Sequence, residues 1–428
     1  HPGTLRVPTL PLQERVRAPR AAIAYAEGTL QMKISILGGA GLMGAGIARD
    51  LLSALAIVPV TEVRIADAAP ERMHALATEL ADPRVTLVDL DVTDPERLAA
   101  AIAGADLVVN SVPTLLGHQM AIFAAALAAR VPYVDLGGLG TYTVQQMAWH
   151  ERFREAGATA VIGVGADPGM SNVLCRAVAD ELDEIDAINL YWAAEFAGPE
   201  NPILMPPYSV STVLAEYAHP STQFLDGKHV SCPPQTGRET LDLPAPWGRC
   251  EFMYSPHSEQ LTVPLADGIR EKGIREFTWK LHLPHREHEA WVGLVKAGFG
   301  DFDTPITVKG VTVKPLDVLN AVINRNIAEN RDRIPEQESS EIHFAIGRGR
   351  KDGRPTTARA EVIVRPDPMY APYVDAGTSM NASIAAQLIL AEPRRPGVFA
   401  PEAYFTPARY FPELTKRKFK VSVDVVTD

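Results

Sequence analysis

The amino-acid sequence predicts an α/β protein: a doubly wound parallel sheet first, then a second α+β domain built on a mostly antiparallel sheet. Three observations carry this. From Met32 to about Gly165, short apolar runs alternate with helical patterns, the rhythm of a parallel sheet covered by helices on both faces. The first apolar run, ending at Leu37, breaks into Gly39-x-Gly41-x-x-Gly44 and continues as a helical pattern through Ile47, Leu51 and Leu52. From Ala187 the alternation gives way to strands and turns.

The glycine turn has a mechanical reading. Gly39 permits the sharp turn, Gly41 the close approach of a pyrophosphate, and Gly44 the close packing of helix on sheet. Leu42 and Met43 then open a helix whose unpaired N–H groups and positive dipole end favour phosphate. Glu62–Asp67 is the next strand, and Asp67 closes it about 20 residues beyond the last glycine, where a carboxylate takes the adenosine ribose hydroxyls. Ala68 and Ala69 follow, and Arg72 is the first basic residue after them, so a 2′-phosphate would meet negative charge first. The pattern is that of a Rossmann dinucleotide site, and the expected cofactor is NAD rather than NADP.

Further elements follow in order. Glu71–Leu80 is helical, Val85–Asp91 is a third strand, and Asp94-Pro95 caps and opens a helix to Ile102. A fourth strand, Asp106–Asn110, runs into Ser111-Val112-Pro113-Thr114. Met120–Ala129 is an Ala-rich helix, Pro132–Leu136 a fifth strand, Gln145–Ala156 a helix and Thr159–Val164 a sixth strand. Asp89 or Asp91, followed by Val92, stands where adenine is approached, or is a solvated strand end. Asn110, Ser111, Val112 and Pro113 fall where strand order reverses and the ligand crevice opens, facing the nicotinamide ribose. Asp167 suits an N-cap and Pro168 the first turn of a helix to about Leu182. That stretch is either a capped helix or one whose Gly169 and Met170 amides hold the nicotinamide carboxamide or a substrate carboxylate.

Composition narrows the partners. With 428 residues, 46% of them hydrophobic, the chain has the length for two domains with their own cores. A net charge of −11 argues against nucleic acid and anionic membrane as partners. Cys175, Cys232 and Cys250 show neither metal spacing nor an even framework, so reduced thiols in a cytoplasmic compartment are expected. No apolar run reaches the roughly 18 residues that a membrane span needs. His1–Gln31 has no apolar signal-peptide core and is expected to be a mobile extension ahead of Met32.

In the second region Ala187–Trp192 reads as a strand and Ser209–Tyr217 as a short helix, followed by mostly strands and turns at 250–254, 277–283, 341–346 and 358–364. Arg348–Arg354 reads as a hairpin turn with Asp-Gly at its tip. Ala376–Leu390 returns to Ala-rich helix, expected to pack back on the first domain. The expected domains are 32–170 with 376–410 for the dinucleotide, 171–375 for substrate and dimerisation, and 411–428 as a C-terminal segment. His282, His285 and His288 with Glu287 and Glu289 suggest metal ligands, but Pro284 breaks the helix that would align them. No metal is expected.

Gly39–Gly44, Val108–Pro113, Tyr133–Gly138 and Asp167-Pro168-Gly169-Met170 together make the chain resemble the saccharopine dehydrogenase-like oxidoreductases. Within that group it is most similar to the lysine 6-dehydrogenases, through Leu182–Ile185, Val313–Leu319, Gly349–Gly353 and Gly397–Glu402. It departs from the lysine enzymes at Tyr254–Gln260, where they carry a glycine- and threonine-rich segment. At Gly137–Tyr142 it departs from saccharopine reductases, which place a carboxylate pair there. The resemblance implies NAD-dependent oxidation at a C–N bond of an amino acid or amine, the ε-amine of lysine giving a semialdehyde that cyclises. It also implies a homodimer. A saccharopine- or opine-type reductase joining an amino acid to a carbonyl compound is the alternative, and a cofactor-binding regulator without turnover is the non-enzymatic one.

Such a reaction needs the substrate carbon about 3–3.5 Å from the nicotinamide ring and a base for the ammonium proton. Asp135 at a strand end, Tyr142 on the glycine loop after it, and His118 are the catalytic candidates. Asp135 and Gly137, with Pro168, are also expected beside the cofactor. Gly138, Gly169, Met170, Tyr208, Ser209, His257 and Glu259 are expected at the substrate, Glu259 as partner of a cationic amine. Arg270 and Arg275 are candidates for a substrate carboxylate.

Overall fold

The computed structural model describes residues 32–428 apart from Leu139 and Glu336, so the expected N-terminal extension lies outside the described residues. Strands β1 (Met32–Leu37), β2 (Val60–Asp67), β3 (Val85–Asp89), β4 (Leu107–Asn110), β5 (Tyr133–Asp135) and β6 (Thr159–Val161) alternate with α1 (Leu42–Leu52), α2 (Pro70–Leu80), α3 (Pro95–Ile102), α4 (Gln119–Ala129), α5 (Thr143–Met147) and α6 (His150–Ala156). They form a parallel sheet in the order β3-β2-β1-β4-β5-β6, with a late strand, Gly397–Phe399, beside β6. Strand order reverses between β1 and β4, so the loops after those two strands open the crevice.

The chain then passes through α7 (Met170–Asp180), β7 (Glu184–Ala197), α8 (Val210–Ala218), β8 (Ser221–Leu225), β9 (Lys228–Cys232), β10 (Glu239–Asp242), β11 (Arg249–Tyr254), α9 (Glu259–Thr262), β12 (Glu276–His282) and α10 (His285–Leu294). A small hairpin, β13 (Ile306–Val308) and β14 (Val311–Val313), leads to α11 (Pro315–Glu329), β15 (Glu338–Lys351) and β16 (Arg354–Val364). The end of the chain is α12 (Ala376–Ala391), β17 (Gly397–Phe399), α13 (Pro401–Tyr404), α14 (Pro407–Lys416) and β18 (Lys420–Thr427). The second sheet has the order β10-β11-β12-β7-β15-β16-β18 and is antiparallel except where β12 runs parallel to β7. Asp352 and Gly353, at φ of 51° and 75°, form the two-residue turn between β15 and β16. Among the described residues no helix is long and apolar enough to cross a membrane, and the three cysteines are free and buried.

One apolar core joins the two sheets. It runs from β1 and β4 through α1, α12 and α7 onto the inner face of β7, β12 and β15. Helix α7 is buried nearly all round, the pattern of a core helix rather than a surface one. Helix α12 lies close on α1: a Cβ at Gly46 would stand 2.6 Å from that of Ser379. The C-terminal segment is clamped to α1 by a fully buried ion pair. Arg417 donates from Nε and Nη2 to the two oxygens of Asp50 at 2.8 and 2.9 Å, and from Nη2 to the Leu55 carbonyl at 3.2 Å.

Several expectations need correction. Gln145–Ala156 is two helices, α5 and α6. Helices α10 and α11 stand where strands and turns were expected: Pro284 caps α10 instead of breaking it, and Pro315 occupies the first turn of α11, the position where its missing N–H costs nothing. Asp167 and Pro168 do not open α7. The helix begins at Met170 after Gly169, whose φ of 132° only glycine adopts readily, and Asn172 Oδ1 takes the Gly169 N–H at 2.8 Å.

Removing Asp50 leaves a buried guanidinium whose remaining carboxylate contact is Glu413 at 3.4 Å. Asp50→Ala is expected to cost about 3–5 kcal/mol in urea unfolding, and the double variant Asp50→Leu/Arg417→Met to recover most of that loss.

Candidate active site

The first wall of the crevice is the glycine turn. A Cβ at Gly39 would meet the Ile36 carbonyl at 2.8 Å, and one at Gly44 would meet the Gly39 Cα at 2.7 Å, so both close approaches require glycine. Helix α1 starts with no side-chain cap and no acidic residue in its first turn, leaving its N–H groups for an anion. Leu42 is largely exposed at this end, and the Met43 carbonyl takes Ser379 Oγ from α12 at 3.3 Å. Asp67 ends β2 nearly buried and accepts the Ala40 and Ala69 N–H groups at 3.1 and 3.0 Å, with Arg72 at 3.8 Å. Bare helix end, glycine turn and strand-end carboxylate fit a dinucleotide.

The loops after β4 and β5 form the second wall, and here side chains brace each other. Asn110 donates to Gln119 Oε1 and Tyr133 Oη, both at 3.0 Å, and accepts the Val112 N–H at 3.1 Å. Ser111 Oγ donates to the Leu37 carbonyl at 2.8 Å and Thr114 Oγ1 to the Gly137 carbonyl at 2.5 Å. Asp135 is 1% exposed. Its Oδ1 accepts the Gly137 and Gly163 N–H groups at 2.9 and 2.8 Å, and its Oδ2 accepts Gln119 and Gln146 side chains at 2.6 and 2.7 Å. Burial pushes its carboxyl above the usual range, while the Gly163 amide and Gln146 pull it back. The carboxylate expected to act as a base is therefore held by four donors.

Tyr142 is half-buried on the glycine loop, facing the Gly117 turn, and His118 stands at the start of α4, close enough to Asp91 to act on its charge. Asp91 is exposed and turns a carboxylate oxygen onto the N–H and hydroxyl of Thr93 at 2.8 and 2.6 Å. Val92 is half-buried against the helices of the outer core, and Pro113 is exposed. Pro168 packs on Gly137 and Gly163. The Gly169 and Met170 amides, expected to hold a ligand, are spent on Asn172 Oδ1 and the Gly165 carbonyl. Ser209 is exposed, and Arg270 and Arg275 are surface residues paired with Glu271 and Asp226. His282 belongs to β12 and His285 and His288 to α10; among the described residues no cluster has a metal-holding arrangement.

The third wall comes from the second domain. The segment leading into α9 closes over the glycine loop: a Cβ at Gly140 would meet the His257 carbonyl at 3.1 Å, and one at Gly163 would meet Ser258 Oγ at 3.7 Å. His257 stacks on Trp279, ring centroids 4.0 Å apart. Its Nδ1 lies 3.1 Å from Glu259 Oε2 and its Nε2 3.7 Å from Glu216 Oε1. Ser171 Oγ donates to Glu259 Oε1 at 2.7 Å, and Tyr208 Oη to Glu216 Oε2 at 2.5 Å. Burial lowers the affinity of His257 for its proton, but Glu259 and Glu216 outweigh this and lift its pKa to about 10. The imidazole is a cation at neutral pH, held between two buried carboxylates.

A second histidine repeats the arrangement. His343 Nδ1 lies 2.5 Å from Asp167 Oδ2 and its Nε2 3.5 Å from Glu341 Oε2; burial opposes its charge, and Asp167 and Glu341 raise its pKa to about 10. Sequence reading singled out His257, Glu259 and Tyr208 but missed Glu216, Ser171, Trp279, Glu341 and His343. A lone Glu216 in the apolar pattern of α8 and a histidine inside the apolar alternation of β15 were the available signals.

The family model for the saccharopine dehydrogenase NADP binding domain matches residues 34–161, and that for the saccharopine dehydrogenase C-terminal domain matches residues 165–419. A carboxynorspermidine synthase of Vibrio cholerae is 26% identical over 51% of this chain and 53% of its own length. A carboxyaminopropylagmatine dehydrogenase of Synechocystis is 28% identical over 36% of this chain and 39% of its own. The chain thus aligns with about half or less of the length of these curated relatives. Saccharopine dehydrogenase (L-Glu forming) of Saccharomyces cerevisiae shares the fold, with a TM-score of 0.67 over 92% of this chain and all of the other at 15% identity. With both family models matched in succession across nearly all of the described residues, the chain belongs to the saccharopine dehydrogenase family.

Proposed function

We propose that the chain is a nicotinamide-dependent oxidoreductase that acts at a C–N bond of a cationic amine, with NAD as the favoured cofactor. The observation that carries this is the His257 unit: two buried carboxylates and an imidazolium on Trp279, on a segment whose backbone lies against the glycine loop after β5. A bound nicotinamide would supply the hydride acceptor or donor. Glu216 and Glu259 favour the positive charge of an ammonium or iminium group, and they leave the cluster net negative even with His257 charged. His257 keeps a proton at Nε2 facing Glu216, available to an amine nitrogen as its carbon gains hydride. Asp135 and Thr114 fix the loop that sets where substrate meets cofactor.

The substrate reading draws on the relatives. Two of them are named for carboxylated polyamines, and the paired acids Glu216 and Glu259 suit the cationic nitrogens of such chains. The lysine reading from the sequence motifs needs the same ammonium site. The test is a panel of lysine, ornithine, carboxynorspermidine and a saccharopine-type secondary amine with each oxidised dinucleotide, followed by absorbance of the reduced ring. An amine-dependent signal is expected, strongest for a carboxylated polyamine, and Glu216→Gln should lower kcat/KM roughly a hundredfold. Silence across the whole panel with both dinucleotides would sink the reading.

Cofactor choice rests on Asp67. Its carboxylate stands at the end of β2, where a ribose diol is held, and Arg72 is exposed and only loosely paired with it. Asp67→Asn is expected to reduce kcat/KM for NAD about tenfold relative to NADP, measured by paired titrations of the two cofactors.

The raised histidines also set a pH dependence of stability. Both are lifted from 6.5 to about 10 in the folded chain, so their contribution is complete below about 6.5 and lost as pH rises through about 10. Melting temperature should fall between pH 7 and 10, and His343→Gln should flatten that slope. An unchanged slope in the variant would remove His343 from the account.

A further inference from the structure

Resting on the nicotinamide reading above for what the crevice holds, we infer that Glu402 is a positioning residue for it: the carboxyl fixes the side-chain amide of Asn172, and through that amide the turn at Gly169 behind the second wall. Glu402 lies on α13 and is 2% exposed. Its Oε2 accepts Asn172 Nδ2 at 2.8 Å, and the other end of the same amide, Oδ1, accepts the Gly169 N–H at 2.8 Å. Asn172 is fully buried. A primary amide has a donating and an accepting end, so an acceptor on one side decides which end faces the other. Turned round, Asn172 would set its amide N–H groups against that of Gly169 and leave buried donors unanswered.

The turn that Asn172 holds has no slack. Gly169 sits at φ of 132°, and a Cβ there would collide with the Gly165 carbonyl oxygen. Gly165 donates its N–H to the Pro168 carbonyl at 2.6 Å and accepts the Met170 N–H at 3.0 Å. The Pro168 ring, carried on this turn, fills the space beside Gly137 and Gly163: a Cβ on either would stand 2.9 Å from Pro168 Cγ. Those two glycines supply the backbone donors to Asp135. An unbroken run of contacts thus leads from Glu402 through Asn172, Gly169 and Pro168 to the loop after β5.

The proton on Glu402 is the variable in that run. Its second oxygen, Oε1, is buried without a hydrogen-bond partner. Burial pushes the carboxyl from 4.5 up to about 7; hydrogen bonds from its own backbone, Thr262 and Asn172 oppose the rise, and the charge of Glu259 adds to it. Helix α9 presents Glu259 and Thr262 to it, and α7 presents Asn172 and Cys175. On its own helix stands Tyr404, and the Arg395 guanidinium is engaged by the Tyr404 ring and the Ala403 carbonyl. Below about 7 the neutral acid holds Asn172. Above that, a buried charge beside Glu259 favours any opening that lets water reach it, so the stability the group contributes is lost as pH rises through its folded value.

The experiment is hydrogen exchange on the full chain, read by mass spectrometry over residues 165–170, with calorimetry of NAD and NADP beside it. In Glu402→Ala, which removes the acceptor, protection is expected to fall about tenfold and the dissociation constant of the bound dinucleotide to rise by about as much. Glu402→Gln keeps an acceptor and cannot ionise, so the ratio of its protection to that of the wild type should grow tenfold or more between about pH 5 and about pH 8. A ratio that stays flat over that range, or an alanine variant as well protected as the wild type, would each overturn the role. If Glu402→Ala does not fold, the glutamine ratio decides alone. The exchange readout needs no dinucleotide, so it is separate from failure of the nicotinamide reading, which shows as a wild-type chain that binds neither NAD nor NADP.

Discussion

Four donors converge on the carboxylate of Asp135, and the geometry of the crevice depends on that convergence. Two are backbone amides, of Gly137 and Gly163, and two are side chains, of Gln119 and Gln146. They come from the loop after β5, the segment after β6, and helices α4 and α5, so one side chain fixes four pieces of chain against one another. A buried carboxylate is costly unless every lone pair is answered, and here the requirement is met by backbone that has nowhere else to go. The Gln119 amide carries the constraint onward to Asn110, whose Oδ1 accepts the Val112 N–H and orders the turn there. The loops that meet a cofactor are thus positioned by a polar network rather than by apolar packing.

The same logic explains why the second domain can complete a site on the first. Helix α7 lies in the core shared by both sheets, so the two halves are not joined by a thin linker. Asn172 on that helix donates to Glu402 of α13 at 2.8 Å, Ser171 beside it holds Glu259 of α9, and Asp167 just before it holds His343 of β15. One short stretch, 167–172, therefore touches α13, α9 and β15. The chain reads there as a capped helix start, yet Asp167, Ser171 and Asn172 each also reach a partner distant in sequence.

That contrast marks where sequence reading stops. The parallel sheet, the glycine turn, Asp67 and the Asp-Gly hairpin were legible because each is local: a period, a spacing or a turn residue specifies it. Helices α10 and α11 were not, because Pro284 and Pro315 signal either an end or a beginning, and only the fold decides. Asp135 was legible as a strand-end carboxylate, but the side chains that hold it were not, since Gln119 and Gln146 carry no signature of what they face. Glu216 and His343 sit in apolar patterns and differ from tolerated oddities only through the partners that reach them from other elements.

Two histidines each held between two acids are not an efficient way to stabilise a fold. Desolvating such a group costs more than an apolar replacement of similar volume would, even when the pairing is good. The Asp50–Arg417 clamp accepts that cost with a bidentate pair that closes every contact. The histidine units do not close theirs: the His257–Glu216 separation of 3.7 Å exceeds a hydrogen bond, and Asp167 keeps a buried oxygen without a donor. Both open contacts belong to residues that lie around Tyr208 and Trp192, and both are anionic in surplus. Pairing that leaves such contacts open gives the fold less than the closed pair of Asp50 and Arg417 does.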